Sequence, residues 1–383
     1  MKKLIYLVLI LPLFFSCAQK QDKVERYTED GVEVVINHME PYKIKGELST
    51  FTLEEEFVID TEKDDIAELG LSDIKSFDVD SKGNIYFLKI RGGEGDNIFK
   101  FDGNGNYSAS FGSAGQGPGE FQYPSHLEID NLDNIVVTDQ VTRKLVIFNK
   151  DGSLIEEIDL TPLDLRIAIV SCLENGNFLI FGQLIGSMRN EYIQLPLRLI
   201  NSQFEDVKEL ERYRYMNSVV TQRRRGTAPI WCWSESKGFV YTGNEDRRYE
   251  IWKYNLKGNL IRRIKKEYKR VPVSEEYKKE LMEGLPESLK RITFFAEFFP
   301  PYQSFITDNI GRLFVMTYEE GENPGEFMFD IFNHDGIFVG RKSLDVWIRA
   351  GHFQSKIIGN LFYCLHEKES GYKKLVVCKI KWE

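Results

Sequence analysis

The chain has 383 residues, 42% of them hydrophobic, with 59 acidic side chains against 50 basic ones and a net charge of −9. That is enough apolar material for a large buried core, and the acidic balance argues against nucleic acid or an anionic lipid surface as the partner. Beyond the amino terminus no apolar run approaches the ~18 residues that a membrane-spanning helix needs.

Residues 1–16 read as a signal peptide of lipoprotein type, because Lys2 and Lys3 precede an apolar run and Ser16 stands just before Cys17. Cys17 is therefore the expected lipidation site, tethering the rest of the chain to a membrane. The alternative is an ordinary secretory signal with a chance cysteine, since Phe14 and Phe15 stand where a lipobox usually carries small residues. Residues 17–46 are polar and read as a linker that lets the domain stand off the membrane. Residues 47–59 (ELSTFTLEEEFVI) are strand-like but have no obvious partner next to them in the sequence.

The stretch 111–160 contains one complete structural unit. A glycine-rich entry (Gly112, Gly115, Gly117, Gly119) leads into four short β-branched or aromatic runs, separated by the turn Asn131-Leu-Asp-Asn134, a short loop, and the turn at Asp151 and Gly152. The first of these turns recurs as Asp80-Ser-Lys-Gly83-Asn84, Glu174-Asn-Gly176-Asn177, Glu235-Ser-Lys-Gly238, Asp308-Asn-Ile-Gly311 and Gly359-Asn360. The second recurs at Asp102 to Gly105, Asn201, Gly258 with Asn259, and Asp335 with Gly336. A four-stranded sheet cannot bury both apolar faces by itself, whereas six such sheets packed around an axis can. The fold class is therefore all-β: a six-bladed β-propeller of four-stranded blades over residues 47–383, with a short helical insertion at about 272–301. The last blade runs out after its third strand, so residues 47–59 are expected to supply the fourth and to remove an exposed edge.

Within 111–160 the run Gly-x-Gly-x-Phe, a Pro, the Asp-x-x-x-Asn turn, Val-x-Asp, an Arg and Phe-x-x-Asp-Gly resembles an NHL repeat. The whole chain resembles the six-bladed propeller lipoproteins of Bacteroidetes-type gut bacteria. The resemblance implies the propeller, and it implies two classes of function: non-catalytic recognition of a glycan, peptide or protein, or metal-dependent lyase or lactonase-type chemistry in the axial channel with Ca or Zn. It also implies a lipid-anchored place in the cell envelope, with the outer membrane expected and its side left open. Residues 18–22 (AQKQD) form a poor version of the acidic signal that sends some such lipoproteins to the outer surface.

Propeller topology sends the connections after the second and fourth strands to one face, and the long loops 89–97, 112–124, 182–195, 213–229, 268–301, 318–326 and 344–350 all fall there. That face is the candidate functional face. Arg223, Arg224 and Arg225 form a cationic run followed by Trp231 and Trp233, a combination that suits an anionic or sugar ligand through guanidinium forks and ring stacking, and otherwise reads as a solvated loop. Tyr123 is a further aromatic on this face. The segment after Ser274 reads as a helix with an apolar stripe at Tyr277, Leu281, Leu285 and Leu289, either packed on the propeller top or lying over the axial channel.

The axial ring, taken four residues before each aligned turn, is Ser76, His126, Ile169, Trp231, Ser304 and His352. Only His126 and His352 could ligate a metal, which is too few for a zinc or calcium site, so no catalytic or metal residues are assigned and no cofactor is expected. His126 and His352 remain candidate ligand contacts, and a monomer is expected. Of the cysteines beyond Cys17, Cys172 and Cys232 read as core residues. Cys364 and Cys378 lie equidistant from Gly371, so a hairpin turning there would place them opposite each other, where they either form a disulfide or simply pack; packing as free thiols is expected, because cross-strand geometry strains most disulfides.

Overall fold

The structure is a computed structural model that describes residues 24–71, 74–89, 95–346 and 354–383. Six antiparallel sheets follow one another around an axis, each contributing four strands in order from the axis outward. The innermost strands are Ile74–Val79, Pro124–Ile129, Leu165–Cys172, Trp231–Ser236, Ser304–Thr307 and Ser355–Ile358, here blades 1 to 6. The protein is a six-bladed β-propeller.

The turns explain why this sequence folds so. In blade 1 the carboxylate of Asp80 accepts from the backbone N–H of Lys82 at 3.0 Å and of Asn84 at 2.8 Å. The same two-and-four pattern recurs at Asp102, Asp130, Asn201, Asn255, Asp308 and Asn333. A short side chain at the first position thus closes the hairpin, and the fourth must take positive φ. Gly83 does so at 83°, while Asp133 at 64° and Phe204 at 61° do so without glycine's freedom.

Six apolar clusters hold the ring, each shared by neighbouring blades. Leu179, Leu197, Trp233 and Tyr254 join blades 3 and 4, and Phe314, Phe329, Phe362 and Ile380 join blades 5 and 6. The ring closes through strand Phe51–Asp60, which pairs antiparallel with Lys373–Trp382 as the fourth strand of blade 6, with Phe51 opposite Trp382. Phe51 is buried in one cluster and Ile59 in the next, so this strand seals both flanks of the last blade.

Two expectations need correction. Part of the segment read as a linker is a hairpin: Glu25–Glu29 pairs with Val32–Asn37, and the latter adds in parallel to Leu260–Lys266, the outer edge of blade 4. Its polar character reflects exposure, since Glu25–Glu29 is exposed throughout while Val34 and Val35 are buried. In the blade 6 hairpin, Cys364 faces Val376 and Cys378 faces Phe362. The turn is centred between Glu367 and Lys373, one residue before Gly371, which displaces each partner by two positions. All four cysteines among the described residues are free.

Candidate functional site

The long connections between blades 3 and 4 build a pocket. Blade 3 ends in strand Asp206–Met216, and Asn217 caps the short helix Ser218–Thr221 by accepting from Val219 N–H. Gln222 then turns the chain through a left-handed conformation, φ 51°. Arg224 and Arg225 next pair in parallel with Thr293 and Phe294 of the insertion between blades 4 and 5. Gly226 is required at this crossing, because a Cβ there would lie 2.3 Å from the Phe295 ring. In the insertion, helix Glu275–Glu283 starts at Ser274, whose hydroxyl accepts from Tyr277 N–H at 3.1 Å. Its Tyr277 ring meets Phe299 edge-on at 4.9 Å, and its hydroxyl donates to the Gly226 carbonyl at 3.2 Å.

Between these segments lies a cavity of about 810 Å³. Tyr192, Tyr213 and Tyr215 come from blade 3, Trp231, Glu245 and Asp246 from blade 4, and Tyr277, Leu281, Phe294 and Ala296 from the insertion, with Arg214, Arg224 and Arg225 among them. The insertion thus covers a pocket off the axis, between blades 3 and 4, rather than the axial channel. Tyr215 stacks on Trp231 at 6.0 Å, and both Tyr192 and Tyr215 remain exposed at the rim.

Charge in the pocket is unevenly matched. Arg225 pairs with Glu245 at 2.6 Å and Arg214 with Asp246 at 3.1 Å, so both carboxylates are engaged. Arg224 is half-buried, and the hydrogen bond recorded for its guanidinium is a long one of 3.4 Å to Thr293 Oγ1. Among the described residues it forms no ion pair, which leaves one uncompensated cation facing the cavity. Burial holds the Tyr277 phenol above its ordinary pKa, with Arg224 pulling the other way.

The sequence-derived candidates therefore divide. Arg224, Arg225 and Trp231 line the pocket. Arg223 is exposed and does not line it, its guanidinium stacked over the Phe294 ring at 4.6 Å. Trp233 is not a ligand contact: it is 2% exposed in the core, its indole N–H donating toward Ser171 Oγ at 3.5 Å. Two residues farther along the strand than Trp231, it lies ~7 Å deeper on the same sheet face. Tyr123 is exposed on blade 2, its backbone N–H held by Asp139 at 2.9 Å, and does not line the pocket. His126 is buried in the innermost strand of blade 2, its Nε2 3.1 Å from Glu128 Oε1. His352 and Cys17 lie outside the described residues.

The axis holds a group that the ring register missed. Asp78 and Glu128, each two residues beyond a ring position, are both 5% exposed, and Lys356 Nζ lies 2.8 Å from the first and 3.5 Å from the second. Burial works against the charge of Lys356, but Asp78 and Glu128 outweigh it and hold the ammonium above its ordinary pKa. Burial pushes the Asp78 carboxyl up. Glu235, whose Oε2 has neither solvent contact nor a hydrogen-bond partner, is pushed up to about 8 by burial and then by the charge of Glu128. Among the described residues no three His, Cys, Asp or Glu side chains are placed to hold a metal ion. The Lys356 ammonium occupies the place between the two carboxylates that a Ca or Zn ion would need, so this donor set does not fit one.

A family model described as 6-bladed beta-propeller, DUF5128, matches residues 83–227. An exported protein from Bacteroides fragilis matches at TM-score 0.51 and 12% identity, covering 91% of this chain and 99% of its own. A DUF4221 family member from Bacteroides vulgatus matches at TM-score 0.50 and 13% identity, covering 88% and 99%. Virginiamycin B lyase from Staphylococcus aureus matches at TM-score 0.42 and 10% identity, covering 86% and 99%, too distant to bear on function. No curated protein matches. These likenesses establish the fold alone. No helix among the described residues is long and apolar enough to cross a membrane.

Proposed function

We propose that this chain is a non-catalytic recognition propeller of NHL type, held at the cell envelope through lipidated Cys17, that binds an acidic glycan in the pocket between blades 3 and 4. The observation that carries the reading is Arg224, a half-buried guanidinium facing a cavity of about 810 Å³ in which both carboxylates already have partners. A single excess cation favours a ligand with one carboxylate or sulfate, and the Trp231, Tyr215 and Tyr277 rings offer faces and edges for a sugar ring. The two lining carboxylates, Glu245 and Asp246, are each held in an ion pair by an arginine, which supports binding over carboxylate acid–base chemistry.

The test is a binding screen of oligosaccharides with and without uronate groups, alongside acidic and neutral peptides, followed by calorimetry on variants. Arg224→Gln should weaken a bound uronate glycan by about 10- to 100-fold, the worth of a charge-assisted hydrogen bond. Arg223→Ser should change affinity less than about threefold, because this exposed side chain does not line the cavity. Unchanged affinity in Arg224→Gln sinks the reading. Selective binding of acidic peptides replaces the glycan with a protein ligand.

A further inference from the structure

On the opposite, short-turn face, between blades 4 and 5, lies a second cavity of about 240 Å³ with Lys253 and Tyr241 on its wall. Lys253, in the third strand of blade 4, sits directly across from Arg262 in the fourth. Like charges facing each other across a sheet are destabilising unless each is compensated. Arg262 is compensated, with Nε 2.6 Å from Glu33 and Nη1 3.6 Å from Asp335. Lys253 is not. It is 7% exposed and has no ion pair among the described residues. Its ammonium donates at 3.3 Å to the His334 carbonyl, an oxygen that Arg262 also uses at 3.2 Å. The rings of Phe239, at 4.1 Å, and Tyr241, at 5.2 Å, complete its surroundings.

Tyr241 supplies the independent observation. It is 1% exposed, and its hydroxyl is buried with no hydrogen-bond partner. Such a group costs stability unless something accepts its proton. Gly311 leaves the space beside it open, since a Cβ there would lie 3.3 Å from Tyr241 Oη and 3.6 Å from His334 Cβ. Burial, with Arg262 adding to it, brings the Lys253 ammonium down to about 8, consistent with a cation lacking its counter-ion.

We propose that this cavity is a binding site for one carboxylate group, accepted between Lys253 Nζ and Tyr241 Oη. A single charge is specified because Lys253 is the one buried ammonium on the wall, the other lining lysine, Lys237, being exposed to solvent, while Asp308 and Asp335 act on the same phenol and oppose a second negative charge. The site shares no lining residue with the pocket between blades 3 and 4, so either can fail without the other.

The test follows acylation of individual lysines by acetic anhydride at pH 8, mapped by peptide mass, with increasing acetate or inorganic phosphate. Acetate should slow modification of Lys253 saturably, by at least tenfold, without protecting exposed Lys63, which lines neither cavity. Phosphate should give no saturable protection. In Tyr241→Phe, at least fivefold more acetate should be needed for the same effect. Absence of saturable protection in the unaltered protein overturns the site without recourse to any variant. Equal protection by phosphate overturns the single-charge assignment, and undiminished protection in Tyr241→Phe removes the hydroxyl from it.

Discussion

Replacing Lys356 by Met keeps the length of the side chain and removes the ammonium from between Asp78 and Glu128. Both carboxylates are nearly inaccessible, and the ammonium lies 2.8 Å from the first and 3.5 Å from the second. Removing one partner of a buried ion pair costs about 3–5 kcal/mol, because the remaining charge is left without compensation. The backbone N–H groups of Val79 and Ile129, each 2.8 Å from Asp78, still hold that carboxylate, which favours the lower end, about 3 kcal/mol. For a chain of this size, that corresponds to a melting temperature lower by roughly 4 °C.

The effect must also depend on pH. Burial already raises the Asp78 pKa in the folded state, so its contribution to stability is present at low pH and lost as pH rises through the folded value. Removing Lys356 enlarges that shift. The gap between Lys356→Met and the unaltered protein should therefore be widest at neutral and alkaline pH and should narrow on acidification, as the buried carboxyls take up protons. Urea unfolding followed by near-ultraviolet circular dichroism would measure it. A variant within about 1 kcal/mol of the parent at neutral pH, the ordinary reach of a benign substitution, would refute the reasoning. A gap that does not change with pH would do the same.

Two further variants test neighbouring parts of the argument. Glu235 is pushed from 4.5 to about 8, so the folded state gains from protonating it, a gain complete below 4.5 and lost by about 8. Glu235→Gln should thus match the parent in urea midpoint at the acid end and exceed it at the alkaline end; equal midpoints throughout would show that the group stays solvated. A chain beginning at Asp60 loses the closing strand from Phe51 onward together with the hairpin on the edge of blade 4, exposing the Lys373–Trp382 edge and emptying the place of Phe51, whose burial alone is worth about 3–5 kcal/mol. It should fail to give a cooperative transition near the parent temperature, and one that melts there would show that ring closure does not depend on this strand.

The ring was legible because its information is local. An Asp or Asn followed two and four residues later by backbone donors, as at Asp80 and Asp130, closes a hairpin wherever it occurs, so counting such turns counts blades. Closure was legible by elimination, since one strand was missing and one was spare. The hairpin at 25–37 was not, because its outer strand has no buried face to create an alternating pattern. Of the candidate site, the arginine and tryptophan run pointed to the right connection, but which arginine is free depends on Glu245 and Asp246, contributed by another strand connection. The axial cluster was missed for a geometric reason: a register taken one step along the inner strand finds Ser76 and His126, while Asp78 and Glu128 lie two residues deeper.

Ligand capacity falls where the repeat is interrupted. Residues 274–296 contribute Tyr277, Leu281, Phe294 and Ala296 to the pocket, yet none of them belongs to the six clusters that join the blades. The two ends of the insertion already meet, because Val273 N–H donates to the Glu297 carbonyl at 3.0 Å. Excising 274–296 and joining Val273 to Glu297 through a short Gly-Ser turn should therefore leave the inter-blade cores intact. The expected change is the loss of the β-bridge at Arg224 and Arg225 and of the pocket's cover, with melting lowered by no more than a few degrees and binding of an acidic glycan abolished. A shortened chain that unfolds far below the parent would place the insertion within the cooperative core, and the division between a rigid ring and an added recognition site would then be wrong.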